Sequence, residues 1–259
     1  MAKLLDGKVA IITGSGRGIG KAIAELFVEH GAKVTINDID ADVCNATAEE
    51  IKSNGGEAIA CKADVTNDEE VKKMVDDTVA AFGTIDILVN NAGITKDAMV
   101  HKMGDKLFDF ILDVNLLGTV MCSKHVIPIM KEKKYGKIVN TSSVTGLMGN
   151  IGQSNYAAAK GGVIGFTKAL ARELSLSRVC VNCYGPGFIE TRLTAVKKEG
   201  GDRSALGIPK GIRDTAIAAI PFGRAGQPMD VANAALFFSS PLSDYITGEV
   251  ISVSGGQLI

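Results

Sequence analysis

The chain has 259 residues, of which 46% are hydrophobic and 22% charged, a composition typical of globular proteins that excludes collagen, coiled coil and disorder. Lys and Arg (28) nearly balance Asp and Glu (29), and a net charge of -1 favours neither nucleic acid nor an anionic membrane as partner. We expect no membrane span, since long apolar runs and a leader-like N-terminus are missing from the sequence. An odd number of cysteines, five, indicates free thiols and a cytoplasmic location.

Short β-branched runs alternate with longer amphipathic stretches along the whole chain. Because this order is typical of βαβ units, we predict one α/β domain over 1–259 with a parallel sheet. A weakly periodic segment at about 190–221 is predicted to be a loop that covers the substrate. The predicted strands are 8–12, 33–37, 58–61, 86–89, 137–140, 179–184 and 249–253, and the predicted helices are 18–30, 42–53, 68–82, 106–130, 155–176 and 228–239.

A glycine-rich run separates the first strand from the first helix and reads Thr13-Gly14-Ser15-Gly16-Arg17-Gly18-Ile19-Gly20. Glycines at such a turn let backbone N–H groups approach a pyrophosphate at the helix N-terminus. The run therefore predicts a dinucleotide site that includes Gly14, Arg17, Gly18, Ile19 and Gly20. Taken alone, it also fits an ordinary tight turn between strand and helix.

An acidic residue, Asp38, ends the second strand 18 residues after Gly20. This spacing is typical of a carboxylate that binds the adenosine ribose and repels a 2′-phosphate. Arg17 favours the opposite choice, because a guanidinium pairs well with phosphate. We give Asp38 the greater weight, so the expected cofactor is NAD(H) rather than NADP(H).

Tyr156 and Lys160 are four residues apart on a predicted helix, which places them on one face. An ammonium group close to a phenol stabilises the phenolate and lowers its pKa, so the pair is suited to general acid–base chemistry. An isolated pair of this kind is more often an ordinary feature of a helix surface.

Several motifs in order resemble the short-chain dehydrogenase/reductase family from about Gly7 to the C-terminus. They are Thr13-Gly14-x-x-x-Gly18-Ile19-Gly20, Asn90-Asn91-Ala92-Gly93, Ser143, Tyr156-x-x-x-Lys160 and Pro186-Gly187. The resemblance implies a Rossmann-like, doubly wound, seven-stranded parallel sheet with helices on both faces, and commonly a homotetramer. It also implies a catalytic tetrad of Asn115, Ser143, Tyr156 and Lys160.

The same resemblance implies further cofactor contacts. Asp64 and Val65 would contact the adenine, Asn91, Ala92 and Gly93 would line the cofactor together with Tyr156 and Lys160, and Gly187, Ile189 and Thr191 would lie at the carboxamide end. We place Thr145, Asn150, Gln153 and Tyr184 along the substrate pocket from topology alone, under a roof at 193–219.

Within the family, the stretches around Asn91, Tyr156 and Pro186 look most like 3-oxoacyl-thioester reductases. We therefore expect an enzyme that interconverts a secondary alcohol and a ketone, with a 3-hydroxyacyl or 3-oxoacyl thioester as substrate. A free cyclic alcohol or hydroxysteroid is the alternative substrate, and a non-catalytic cofactor-binding regulator is the alternative of another class.

Two further patterns do not predict chemistry. Cys180 and Cys183 have a redox-like spacing, but residues three apart on a strand point to opposite faces. The three histidines are scattered without carboxylate or cysteine at ligand spacing, so we expect no metal site.

Overall fold

The computed structural model describes residues 3–196 and 207–258. Its strands are β1 (Val9–Ile12), β2 (Lys33–Asp38), β3 (Ala58–Lys62), β4 (Ile87–Asn90), β5 (Gly136–Thr141), β6 (Val179–Pro186) and β7 (Val250–Val253). The α-helices among these residues are α1 (Gly18–Glu29), α2 (Ala41–Ser53), α3 (Asp68–Phe82), α4 (Asp105–Leu112), α5 (Gly118–Glu132), α6 (Val144–Met148), α7 (Ser154–Leu174), α8 (Lys210–Ala218) and α9 (Pro228–Ser239).

The seven strands form one parallel sheet in the order β3-β2-β1-β4-β5-β6-β7. This is the predicted doubly wound sheet, and that prediction is confirmed. The chain runs outward from β1 to β3 and then returns to place β4 on the other side of β1. In such a sheet the crevice lies beyond the carboxyl ends of the strands, at the point where the order reverses. Here that point lies between β1 and β4.

Each face of the sheet has its own apolar core. Phe27 of α1 and Phe238 of α9 belong to one core, and Met74 of α3 and Val126 of α5 to the other. Successive side chains of a strand point to opposite faces, so β1 contributes Ile12 to the first core and Ile11 to the second. Burying a side chain of this size stabilises the fold by roughly 2–3 kcal/mol. The continuous apolar strands in the sequence therefore follow from a sheet that is covered on both faces.

Local signals fix the ends of the helices. The Asn67 side chain accepts hydrogen bonds from the N–H groups of Glu69 (3.1 Å) and Glu70 (3.2 Å) and so caps α3. Gly83 ends the helix with a φ of 82°, a left-handed conformation that glycine adopts without steric cost. Asp68, Glu69 and Glu70 also place negative charge in the first turn, where it complements the helix dipole.

Three elements differ from the sequence-based prediction. The predicted helix 106–130 is one run, Asp105–Glu132, that a π turn at Asp113–Leu117 interrupts. The short helix α6 was not predicted, because five residues are too few to show a helical period. The segment predicted as irregular, 190–221, contains α8, a surface helix without buried residues whose apolar pattern is weak. Within this segment, 197–206 lie outside the described residues.

The run Asp105–Glu132 has the length and the mean hydropathy (1.3) of a membrane-crossing helix. Only 39% of its most apolar stretch is buried within this chain. Cys122, Val126 and Met130 nevertheless belong to one core of the sheet, so this helix is a structural layer of the fold.

Candidate active site

The turn between β1 and α1 packs directly against the segment that follows β4. A Cβ on Gly14 would lie 2.9 Å from Ala92 Cα, and a Cβ on Gly20 would lie 2.4 Å from the Gly14 carbonyl oxygen. Asn91 Nδ2 donates to the carbonyls of Thr13 (2.9 Å) and Gly14 (3.1 Å). Two predicted groups of cofactor residues thus meet at the crevice, and glycine is needed at both positions because a side chain would overlap the backbone.

Gly18 faces open space at the start of α1. It has a φ of 58°, and a Cβ there would approach only Thr191 Cγ2, at 3.9 Å. Arg17, the residue that precedes this helix, makes no side-chain cap, so its side chain does not occupy the first N–H groups of α1. Free N–H groups at a helix N-terminus attract an anion, so the gap between Gly18 and Thr191 is where we expect a cofactor phosphate to bind.

The residues at the predicted carboxamide end fall on the other side of this gap. Ile189 has a buried side chain, and its carbonyl accepts a hydrogen bond from Thr194 Oγ1 at 2.5 Å. The Thr191 N–H donates to the same hydroxyl at 2.9 Å. Gly187 packs against the end of β7, where a Cβ would lie 2.8 Å from Ser254 Cβ. Their contacts with a cofactor remain predictions.

The residues predicted to contact adenine follow β3. Asp64 Oδ1 accepts from the N–H (2.9 Å) and the hydroxyl (2.7 Å) of Thr66, so the carboxylate fixes its own turn. Val65 is buried against the start of α5, since a Cβ on Gly118 would lie 2.7 Å from Val65 Cγ2. Both residues lie at the carboxyl end of the sheet, and their adenine contacts are likewise predictions.

Helix α7 carries Tyr156 and Lys160 into the crevice. Lys160 Nζ lies 5.7 Å from the centre of the Tyr156 ring and donates to the Thr141 carbonyl at 2.8 Å. Because Thr141 ends β5, this bond ties the ammonium to the carboxyl edge of the sheet. Sequence reasoning missed Thr141, since a backbone acceptor leaves no signal in the residue type.

Asn115 lies in the π turn and is fully buried. Its Nδ2 donates to the carbonyls of Ile94 and Ile111, both at 2.9 Å, and its Oδ1 accepts from the Ile94 N–H at 3.3 Å. A Cβ on Gly93 would lie 2.7 Å from Asn115 Oδ1 and 3.3 Å from Lys160 Nζ. Glycine at this position therefore lets the amide and the ammonium meet, and a π turn within a helix often marks such a site.

Two adjacent serines follow β5 and have different partners. Ser143 precedes α6, and its Oγ accepts from the Thr145 N–H at 3.2 Å. Ser142 donates its hydroxyl to the Lys160 carbonyl at 2.8 Å and is buried. Of the two hydroxyls, that of Ser143 acts to lower the pKa of Tyr156.

Burial dominates the ionisation of the tyrosine–lysine pair. It raises the pKa of Tyr156 to about 12, against the opposing effect of the Ser143 hydroxyl. It also lowers the pKa of Lys160 to about 8. The expectation that Lys160 lowers the pKa of Tyr156 stays a prediction, since loss of water is the largest effect on both groups in the protein alone.

The side chains placed along the substrate pocket from topology do not all lie there. Tyr184 is fully buried in an apolar core and shares a hydrogen bond of 2.8 Å with Thr141 Oγ1, so its predicted place in the pocket is wrong. Thr145, Asn150 and Gln153 form one hydrogen-bonded cluster next to Tyr156. Side chains alternate between the two faces of the sheet along β6, and Tyr184 is on a face that points into a core.

Comparison with known proteins agrees with this geometry. The family described as Enoyl-(Acyl carrier protein) reductase matches residues 14–257. The chain is 42% identical over 255 residues to the 3-oxoacyl-[acyl-carrier-protein] reductase of Thermotoga maritima, with 98% of this chain and 99% of the relative covered. It is 44% identical over 254 residues to the enzyme of the same name from Vibrio cholerae, with 98% of both chains covered. The chain belongs to the short-chain dehydrogenase/reductase family.

Membership in the short-chain dehydrogenase/reductase family confirms the predicted class of enzyme, an oxidoreductase that acts on a CH–OH group. A third relative from this family, the 3-oxoacyl-[acyl-carrier-protein] reductase of Chlamydia muridarum, is 41% identical over 260 residues and is covered completely, with 99% of this chain aligned.

The expected preference for NAD(H) over NADP(H) is wrong. The 3-oxoacyl reductases of the family to which the chain is similar are NADPH-dependent. Arg17 lies beside the acidic residue on which the prediction rested, with Nε 4.0 Å from Asp38 Oδ2 and Nη2 2.9 Å from Asp40 Oδ2. The guanidinium opposes the charge of Asp38 only in part, because it is shared with Asp40, which it approaches more closely.

Proposed function

We propose that this protein is an NADPH-dependent 3-oxoacyl-thioester reductase. One observation carries the proposal: Asn115, Ser143, Tyr156 and Lys160 lie together at the carboxyl edge of the sheet, beside the glycine turn that begins α1. The names of the relatives supply the substrate class, a 3-oxoacyl group carried as a thioester on an acyl-carrier protein.

The residues present suit a bound NADP(H). The N-terminus of α1 and Gly18 would hold the pyrophosphate, and Arg17, whose side chain is 37% exposed, would turn toward the 2′-phosphate. When bound, the cofactor supplies the hydride for the carbonyl carbon. Asn91, Ala92 and Gly93 would line its ribose and nicotinamide side.

The protein handles the proton that ketone reduction requires. Tyr156 donates the phenolic proton to the carbonyl oxygen as negative charge develops there, and the Ser143 hydroxyl donates a hydrogen bond to the same oxygen. The ammonium of Lys160 stabilises the phenolate and returns a proton to it. Asn115 holds the chain next to Lys160 in place, through both ends of its amide.

A substrate panel tests the proposal. Acetoacetyl-CoA, a cyclic ketone and an enoyl-CoA are each assayed with NADPH, the last because the matching family is described as enoyl reductases, and a hydroxysteroid is assayed with NADP⁺. We expect clear turnover of acetoacetyl-CoA alone. Turnover of the cyclic ketone or the steroid alone would indicate that the enzyme acts on a free alcohol or ketone instead of a thioester. Cofactor binding without any turnover would indicate a regulator.

We further propose a single domain over 1–259, a homotetramer and a cytoplasmic location. The exposed apolar face of Asp105–Glu132 supports association, because it includes Phe110 (53% exposed) and Leu117 (45% exposed).

The cysteines are free thiols, which suits a reducing compartment. A covering role for the segment at 190–221 belongs to the same proposal.

A further inference from the structure

A polar cluster next to Tyr156 takes no part in the tetrad. At its centre is Gln153, the residue immediately before α7. Its Nε2 donates to both carboxylate oxygens of Asp97, at 3.0 and 3.1 Å, and lies 3.3 Å from Thr95 Oγ1. Its Oε1 accepts from Asn150 Nδ2 at 2.9 Å and from Thr145 Oγ1 at 3.3 Å.

These partners fix the orientation of the glutamine amide. A carboxylate only accepts, so Nε2 must face Asp97, and Oε1 must then face the two donors on the other side. Thr95 Oγ1 also donates to Asp97 Oδ1 at 2.6 Å. The carboxylate is thus held by two side chains, and Gln153 has neither end of its amide free.

The cluster joins two separate connections of the fold. Asp97 and Thr95 follow β4, whereas Gln153 lies between α6 and α7. The Ala98 N–H donates to the Gly152 carbonyl at 2.8 Å, and Asn155 Nδ2 donates to the Lys96 carbonyl at 3.3 Å. Backbone and side-chain bonds together hold 95–98 and 150–155 as one unit, and Tyr156 is the next residue.

Asp97 is exposed, and its negative charge lies on the segment that Gln153 bonds to the start of α7. Its carboxylate adds to the burial that raises the pKa of Tyr156. Among the described residues, the Lys160 ammonium also faces this phenol, 5.7 Å from the ring centre on the helix that bears both residues. The two charges act in opposite directions on a phenolate.

We propose that Asp97 and Gln153 are positioning residues for Tyr156, because their hydrogen bonds hold 95–98 against 150–155 and so fix the start of the helix that bears the phenol. The carboxylate makes the phenolate less stable and so keeps Tyr156 in the protonated form that donates to a carbonyl oxygen. After each transfer it favours return of a proton from the Lys160 side. The role of this cluster in ketone reduction rests on the proposed function, whereas its effect on the phenol does not.

Titration of the phenol tests the inference without substrate. The ultraviolet absorbance of the Tyr156 phenolate is obtained as the difference between the protein and its Tyr156→Phe variant. Asp97→Asn keeps an acceptor for Gln153 but removes the charge, so we expect the Tyr156 midpoint to fall by about half a unit or more. Asp109→Asn, which removes an exposed carboxylate of α4, is the control and leaves the midpoint unchanged.

A charge exchange tests the hydrogen bonds. Gln153→Glu places a second carboxylate against Asp97, and we expect kcat/KM for acetoacetyl-CoA to fall about tenfold or more, with a rise in KM. The double variant Asp97→Asn/Gln153→Glu restores one donor and one acceptor with the charge moved to position 153. Its KM should recover to within about threefold of the parent.

Two results would overturn the inference. An unchanged Tyr156 midpoint in Asp97→Asn would show that the carboxylate does not act on the phenol. If the KM of the double variant stayed as high as that of Gln153→Glu, the hydrogen bonds between positions 97 and 153 would not position Tyr156. Failure of the proposed function looks different, because the titration shift would persist while the parent protein fails to reduce acetoacetyl-CoA.

Discussion

Lys160 combines full burial with one backbone partner, the Thr141 carbonyl. Its pKa is lowered from 10.5 to about 8 because the charged form has lost its water. Below about pH 8 the ammonium is present and stabilises the Tyr156 phenolate, and above that value the charge is lost as pH rises.

We therefore expect kcat/KM for ketone reduction to decline above about pH 8, since this ratio reports on groups of the free enzyme. Lys160→Arg keeps its charge throughout this range and should move the decline to higher pH. Lys160→Met should remove the decline together with most of the activity. A parent profile that stays flat to pH 10 would contradict this account.

Tyr156→Phe removes the proton donor and leaves the ring that fills the space. We expect kcat to fall by about 10²–10⁴, the usual contribution of a general acid. NADPH affinity, measured by fluorescence titration, should change far less than kcat, because the glycine turn that would hold the phosphates is untouched and the ring would still line the cofactor. Turnover within a few-fold of the parent would exclude the phenol as the proton donor.

At the scale of elements, the turn between β1 and α1 depends on close backbone packing. Gly14 and Gly55 both have positive φ, 62° and 85°. A Cβ on Gly14 would lie 2.9 Å from Ala92 Cα, whereas a Cβ on Gly55 would meet nothing within 4 Å. Alanine at either position costs about 1 kcal/mol of backbone strain.

Gly14→Ala should therefore reduce the free energy of unfolding by roughly 1–3 kcal/mol more than Gly55→Ala, because it adds an overlap with the backbone. It should also weaken NADPH binding, which Gly55→Ala leaves intact. Urea unfolding and a binding titration measure the two effects. Equal losses from both variants would show that the turn adjusts to a side chain.

At the scale of the molecule, the long helical run Asp105–Glu132 leaves an apolar face uncovered by its own chain. Phe110→Glu places a charge on this face, and we expect it to reduce the oligomer to smaller species in sedimentation velocity. Leu176→Glu is the matched control, since this leucine is 96% exposed in the Ser175–Ser177 turn. A parent protein that sediments as a monomer would contradict the proposed tetramer.

The sequence predicted most of the fold because β-branched strands and amphipathic helices carry local periods that a parallel sheet requires. It did not predict the helix α8, which buries no residue and so shows little periodicity. The predicted cofactor preference was wrong for a related reason, since a contact between distant residues leaves no local pattern in the sequence. Asp38 is visible at its expected spacing, whereas the approach of Arg17 to it is a contact between separate parts of the chain.

By itself, the sequence determined the doubly wound sheet, the family and the identity of the four candidate catalytic residues, since motif order and hydrophobic period are properties of the chain alone. Only the tertiary structure decided how those residues are ionised and held. Burial of Tyr156 and Lys160, the Thr141 carbonyl at the ammonium and the Asp97–Gln153 bond at the start of α7 arise from segments far apart in sequence. Desolvation and charge depend on three-dimensional surroundings, which residue spacing does not encode.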